Sequence, residues 1–121
     1  MRPVHRLTRT EVEHLLDAIK EVIPPEQLRE VWVFGSKARP EAKGGDIDLW
    51  IDCASEANID PLWTRRIRLI LEKTLGDQRY DIVVSGPESE IQDRQKRAFL
   101  ETLKQKRVSL WKREPERGSI D

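Results

Sequence analysis

The sequence predicts an α/β sandwich, with helices packed on a small mixed sheet. Three observations lead there. Short β-rich apolar runs alternate along the chain with longer stretches of helical periodicity, the order that stacks helices on a sheet. The 121 residues suffice for one domain with one core, and no interior linker divides them. No apolar run approaches the ~20 residues needed to span a bilayer, and a charged fraction of 36% suits a well-solvated surface.

The elements follow in order. Thr8 and Thr10 each have a glutamate three residues on, a capping-box spacing. Val12, Leu15, Leu16, Ile19, Val22 and Ile23 then recur at helical intervals, and Pro24-Pro25 ends this first helix. EVWVF, 30–34, is short and β-rich, and reads as a strand. Residues 46–52 alternate, with Ile47, Leu49 and Ile51 on one face and Asp46, Asp48, Trp50 and Asp52 on the other. Asp60-Pro61 reads as the start of a second helix, Asp as cap and Pro in the first turn. Its buried stripe is Trp63, Ile67, Ile70, Leu71 and Leu75, and Gly76 marks its end. RYDIVV, 79–84, reads as a third strand. Pro87 and Ser89 open a last long helix with apolar positions Ile91, Ala98, Phe99 and Leu103, and VSLW, 108–111, forms a fourth strand. The domain is expected to span 1–113, and the polar 114–121 to be a flexible tail.

Composition excludes several functions. The chain has 22 basic and 22 acidic residues, which argues against broad nucleic-acid binding, since that needs a surplus of Lys and Arg. Cys53 is the only cysteine, so neither an internal disulfide nor a Cys-based zinc site is possible, and a cytoplasmic location is expected. The N-terminal MRPVHRLTRT has no apolar signal core. His5 and His14 are isolated and read as surface or boundary residues. Arg65, Arg66 and Arg68, with the basic runs at 94–97 and 104–107, read as solvated helix faces.

The segment VFGSKARPEAKGGDIDLWID, 33–52, carries the chemistry. Aspartate is a poor strand former and is rarely buried unpaired, yet Asp46 and Asp48 sit two apart within an apolar run. A strand points them to the same side, with Cα atoms roughly 6.6 Å apart. Two carboxylates so placed can share one ion or hold two side by side. Asp81 lies in a separate apolar strand and closes the cluster if that strand is a neighbour. Like charges at ~4 Å repel by about 4 kcal/mol at an effective dielectric of 20, and Mg²⁺ relieves that repulsion. Trp50 shares this face and reads as a packed sheet-edge tryptophan before a pocket wall. Asp52 lies ~13 Å beyond Asp48, which suits a structural contact and not a metal.

Gly35-Ser36 supplies the other half. Glycine permits a sharp turn and the close approach of a phosphate, and Ser36 can cap a following helical turn whose free N–H groups attract anions. Pro40 limits that turn to about residues 36–39. Lys37 and Arg39 add positive charge toward a triphosphate. A lone Gly-Ser is usually only a turn, and a lone Asp-x-Asp is usually a solvated edge. What sets this chain apart is the combination: an apolar strand, Gly-Ser, nine residues, Asp-Ile-Asp-Leu, and a third Asp in a later strand.

Gly35, Ser36, Asp46, Ile47, Asp48 and Leu49, with Asp81, resemble the nucleotidyltransferase signature of the DNA polymerase β superfamily. The short VFGSKAR followed by DIDLWID is most similar to its minimal nucleotidyltransferases, over about residues 8–112. The resemblance implies a polymerase-β-like fold. It also implies that Gly35 and Ser36 hold nucleotide phosphates, and that Asp46, Asp48 and Asp81 ligate two Mg²⁺ ions, Asp81 also helping to deprotonate an acceptor hydroxyl. Family members often have Gly where this chain has Pro40 and Ser where it has Gly45, and neither change removes a metal ligand.

A domain of this size leaves little to build an acceptor pocket, so the acceptor is expected to be presented by another macromolecule. By resemblance that partner is a HEPN-domain ribonuclease toxin, and the chain is the antitoxin that transfers AMP from ATP to a tyrosine of it. Two alternatives stay open. One is a binding-only antitoxin with a vestigial site. The other is a nucleotidyltransferase acting on a small molecule or an RNA 3′ end.

Overall fold

Thr8 starts the first helix as its spacing predicts. Glu11 N donates to Thr8 Oγ1 at 3.1 Å and Thr8 N donates to the Glu11 carboxylate at 2.8 Å, a complete capping box. Helix α1 (Arg9–Val22) buries Leu15, Ala18, Ile19 and Val22 and ends before Pro24-Pro25. Thr8→Ala removes the cap, and urea unfolding should register a loss of about 1 kcal/mol. A loss below ~0.3 kcal/mol would mean that packing alone starts this helix.

The computed structural model describes residues 7–35, 46–76 and 78–114. After α1 come β1 (Leu28–Phe34), β2 (Ile47–Cys53), α2 (Trp63–Thr74), β3 (Tyr80–Ser85), α3 (Arg94–Leu103) and β4 (Val108–Lys112). The strands form one sheet in the order β3-β2-β1-β4. β1 runs antiparallel to both β2 and β4, whereas β2 and β3 are parallel, joined by the α2 crossover. Helices α1 and α2 cover one face, where Leu15, Ile19, Val31, Val33, Leu49, Ile51, Ile67 and Leu71 are fully enclosed. The other face packs Trp32, Phe34 and Trp50 against Ile91, Leu100 and Leu103, the last two from α3. β2 is mostly buried because both its faces are covered. The architecture is α+β with a mixed sheet, the expected class. Among the described residues no helix is long and apolar enough to cross a membrane.

Two helix starts differ from expectation. Asp60 does act as a cap, its Oδ1 accepting from Leu62 N at 2.9 Å. It closes a turn, however, and α2 proper begins at Trp63. Pro87 and Ser89 do not open the last helix. They belong to a 3-10 turn whose core is Glu88–Glu90, and α3 begins later, where Asp93 Oδ1 accepts from Gln95 N and Lys96 N. Within α3, Leu100 and Leu103 are buried while Ala98 and Phe99 face outward.

Two polar ties hold the strands that matter below. Tyr80 Oη donates toward Gly76 O (2.9 Å) and lies 3.3 Å from Leu71 O, fixing the start of β3 to the end of α2. At the other end of β3, Gly86 N donates to Glu56 Oε1 (2.7 Å), and Lys96 of α3 pairs with Glu56 Oε2 (2.8 Å). A Cβ on Gly86 would overlap the Glu56 backbone nitrogen, so the β2–α2 loop crosses β3 only because this residue lacks a side chain.

Candidate active site

The topology gathers three chain ends at one end of the sheet. β1 runs antiparallel to β2 and β2 parallel to β3, so the C-terminus of β1 meets the N-termini of the other two. Phe34 pairs with Asp48, and Asp48 pairs with Asp81. Neighbouring strands lie about 4.8 Å apart, so the Asp48 and Asp81 side chains emerge side by side on the face opposite α1 and α2. Asp46 directly precedes β2 and is exposed.

The carboxylates interact. The Asp48 pKa is raised from 3.8 to about 6, first by burial, then by the Asp81 carboxyl within hydrogen-bonding reach, and by the negative charges of Asp81 and Asp46. Arg79 opposes the shift. Its Nε lies 3.8 Å from Asp81 Oδ2, an exposed and therefore weak pair. Strand periodicity places Arg79 on the face of Asp81, two residues on, a signal present in the sequence that the reading of the acids alone does not use.

Gly35 follows β1 and lies against Asp48. Its φ is +70°, a left-handed conformation, and a Cβ built on it would overlap Asp48 Oδ2. The turn is thus glycine for two reasons at once, its backbone and the carboxylate it touches. The remaining residues expected in this turn, Ser36, Lys37 and Arg39, lie outside the described residues, as do Pro40, Gly45 and His5. Among the described residues no three His, Cys, Asp or Glu side chains form a metal-holding group. The close contact is the pair Asp48–Asp81, with Asp46 acting on Asp48 through its charge.

The neighbouring residues take other roles. Asp52 pairs loosely with Arg29 at 4.0 Å, the structural contact expected of it. Trp50 is packed but not at a sheet edge, because β2 is central. Its Nε1 donates to the buried Ser85 hydroxyl at 2.8 Å, and its ring lies 4.9 Å from that of Trp32. The Arg107 guanidinium covers both rings, at 3.9 Å from Trp32 and 4.8 Å from Trp50. This stack lines a cavity of about 160 Å³ with Asp52, Ser85 and Lys104, and no single motif of the sequence points to it. His14 is half-buried on α1 and Arg65 and Arg66 are exposed, as expected, while Arg68 Nε donates to Tyr80 O at 3.3 Å.

No protein-family model matches the sequence, and no curated protein matches it. Solved structures do match. A chain from a toxin–antitoxin complex with AMP-PNP superposes with a TM-score of 0.62 at 18% identity, covering 85% of this chain and 74% of that one. A chain from a mutant MntA–HpeT toxin–antitoxin complex gives a TM-score of 0.61 at 16% identity, covering 85% and 74%. A third, from the tri-AMPylated Shewanella oneidensis HEPN toxin with its MNT antitoxin, gives 0.54 at 17% identity, covering 84% and 70%. The fold is therefore of the minimal nucleotidyltransferase (MNT) type. It is the fold that the resemblance of VFGSKAR and DIDLWID implied.

Proposed function

We propose that the chain is a Mg²⁺-dependent nucleotidyltransferase that transfers AMP from ATP to a tyrosine hydroxyl of a HEPN-type ribonuclease toxin, and so serves as its antitoxin. The observation that supports this most is Gly35 set against Asp48, which itself contacts Asp81. A carboxylate pair in contact is unfavourable on its own, and a glycine beside it lets the backbone come close to the acid. The neighbouring complexes, one with AMP-PNP and one with an AMPylated toxin, lend this reading chemical context.

The Asp48–Asp81 pair offers hard oxygen ligands of the kind Mg²⁺ takes, with Asp46 adding negative charge just before β2. Asp46, Asp48 and Asp81 would hold the ions, which would supply positive charge to offset that of the transferring phosphoryl group. The protein residues position and exclude. Gly35 and Ser36 hold the triphosphate at the turn, and Lys37 and Arg39 add charge toward its far end. Asp81 accepts the proton of the acceptor hydroxyl as it attacks the α-phosphorus, and pyrophosphate leaves. Catalysis in this scheme is mainly alignment and charge neutralisation.

Incubation of the chain and a co-expressed HEPN partner with labelled ATP and Mg²⁺ tests this. The partner's intact mass should rise by whole AMP units, and Asp46→Asn should abolish the rise. Label passing to tRNA or to a small molecule, with the partner unlabelled, would select a different acceptor. An Asp46→Asn variant that neutralises the toxin as fully as wild type would select the binding-only reading.

A further inference from the structure

β4 ends the sheet, and among the described residues no strand pairs with its outer edge. Such an edge offers unpaired N–H and C=O groups to an incoming chain. Beside it, between the end of α1 and β4, lies a cavity of about 160 Å³. Its walls are Ile23, Pro25, Leu28 and Trp111, and its rim is Lys20 and Arg113. An apolar cavity near 150 Å³ holds a benzene-sized group. The wall exists because β4 bulges: Val31 pairs with Trp111 and the next residue, Trp32, with Ser109. The extra residue lets Leu110 and Trp111, adjacent in sequence, both pack against the α1-side core.

The charged side chains that line the cavity, Lys20 and Arg113, are both cations, although Glu21, Glu26 and Glu114 neighbour the lining in sequence. Positions 104–113 hold five cations and no acid in a chain that is neutral overall. Lys104 is neutralised by Glu88 and Glu101, Arg107 lies on the tryptophans of the other face, and Lys112 stands opposite Glu30. Lys106 and Arg113 remain, with Lys20 of α1 lying 5.0 Å over the Trp111 ring. Among the described residues none of these three forms an ion pair. Edge-to-edge pairing with a second copy would bring like charges together, which disfavours it.

We propose that the β4 edge and its cavity form a docking site for an extended acidic segment of a partner protein. The segment adds a strand to β4, seats one large apolar side chain between Ile23, Leu28 and Trp111, and sets its carboxylates against Lys20 and Arg113. Main-chain pairing supplies affinity, and the cavity with its basic rim supplies specificity. This site lies apart from Asp48 and stands whether or not the chain transfers nucleotides.

The test uses the full chain and a fluorescein-labelled peptide of alternating Glu and Val with one central Phe. Anisotropy should show binding that weakens with salt, and amide shifts should concentrate on residues 108–113 and on Ile23 and Leu28. The exposed-site double variant Lys20→Glu/Arg113→Glu should bind at least about tenfold more weakly, since each tenfold is only ~1.4 kcal/mol, with an unchanged circular dichroism spectrum. Equal binding of a Lys-for-Glu peptide, shifts confined to the basic face of α2, or indifference to the double variant would overturn the proposal. So would preferential binding of a single-stranded oligoribonucleotide at β4, or a dimer in solution that buries this edge.

Discussion

Asp48→Asn should make the metal-free protein more stable while removing nucleotide transfer. The loss of activity is expected to be on the order of 10³-fold, the scale of deleting one preorganised electrostatic contact in a reaction centre. The stability gain follows from the raised pKa. A carboxylate whose folded pKa is about 6 instead of 3.8 binds its proton more tightly when folded. Its favourable contribution is complete below pH 3.8 and is lost as pH rises through about 6. Fully counted at ~1.4 kcal/mol per unit, the shift amounts to roughly 3 kcal/mol; the pair opens to solvent, and about 1–1.5 kcal/mol is expected. In EDTA, wild-type protein should therefore be more stable at about pH 5 than at about pH 7.5, and Asp48→Asn should flatten most of that slope. A smaller slope of the same sign should persist, because Asp52 is also raised, mainly by burial. Added Mg²⁺ should raise the wild-type melting temperature at about pH 7.5 by mass action and leave the variant unmoved. A variant that melts below wild type in EDTA at that pH would show that Asp48 is held by favourable contacts, not by crowded charge.

The parts of the fold legible in the sequence are those whose signals are local. The Thr8–Glu11 box, the Pro24-Pro25 stop, the alternation of β2 and Gly76 at +94° after α2 are each set within a few residues. The last helix departs from its sequence reading because Ile91 precedes the helix and does not share its phase. Packing against Trp32 and Trp50 then selects Leu100 with Leu103, and not Ala98 or Phe99, as the buried face. Trp50 reads as a sheet-edge residue, yet strand order is set by the α2 crossover and by β4 returning to the far side of β1, neither of which is written in β2 itself. The carboxylate pair is legible because it needs only one fact beyond the local pattern, that β2 and β3 are neighbours. The Trp32–Trp50–Arg107 stack needs three separate elements to meet, and nothing in any one of them announces it.

Gly35→Ala should lose both stability and activity, and the two losses have separable causes. At φ +70° any L side chain strains the backbone, by roughly 1–2 kcal/mol. That share should appear in urea unfolding whatever stands at position 48. The second cause is the overlap of the new methyl with Asp48 Oδ2. The carboxylate is the far end of a movable side chain, so it can yield, and the steric cost to folding is small. The cost to the chemistry is not, because a ligand displaced by about 1 Å costs on the order of 10²-fold in rate. The native arrangement thus places the turn and the acid in one contact, so that neither can shift without the other. A double-mutant cycle resolves the two parts. With Asp48→Ala as background, Gly35→Ala should still cost its backbone strain, but the Mg²⁺-dependent rise in melting temperature, already absent, should show no further change. Against wild-type Asp48, the same substitution should weaken that rise by displacing a ligand. If Gly35→Ala leaves both the Mg²⁺ response and the transfer rate at wild-type values, the glycine is present for its dihedral alone, and the contact between turn and carboxylate carries no catalytic meaning.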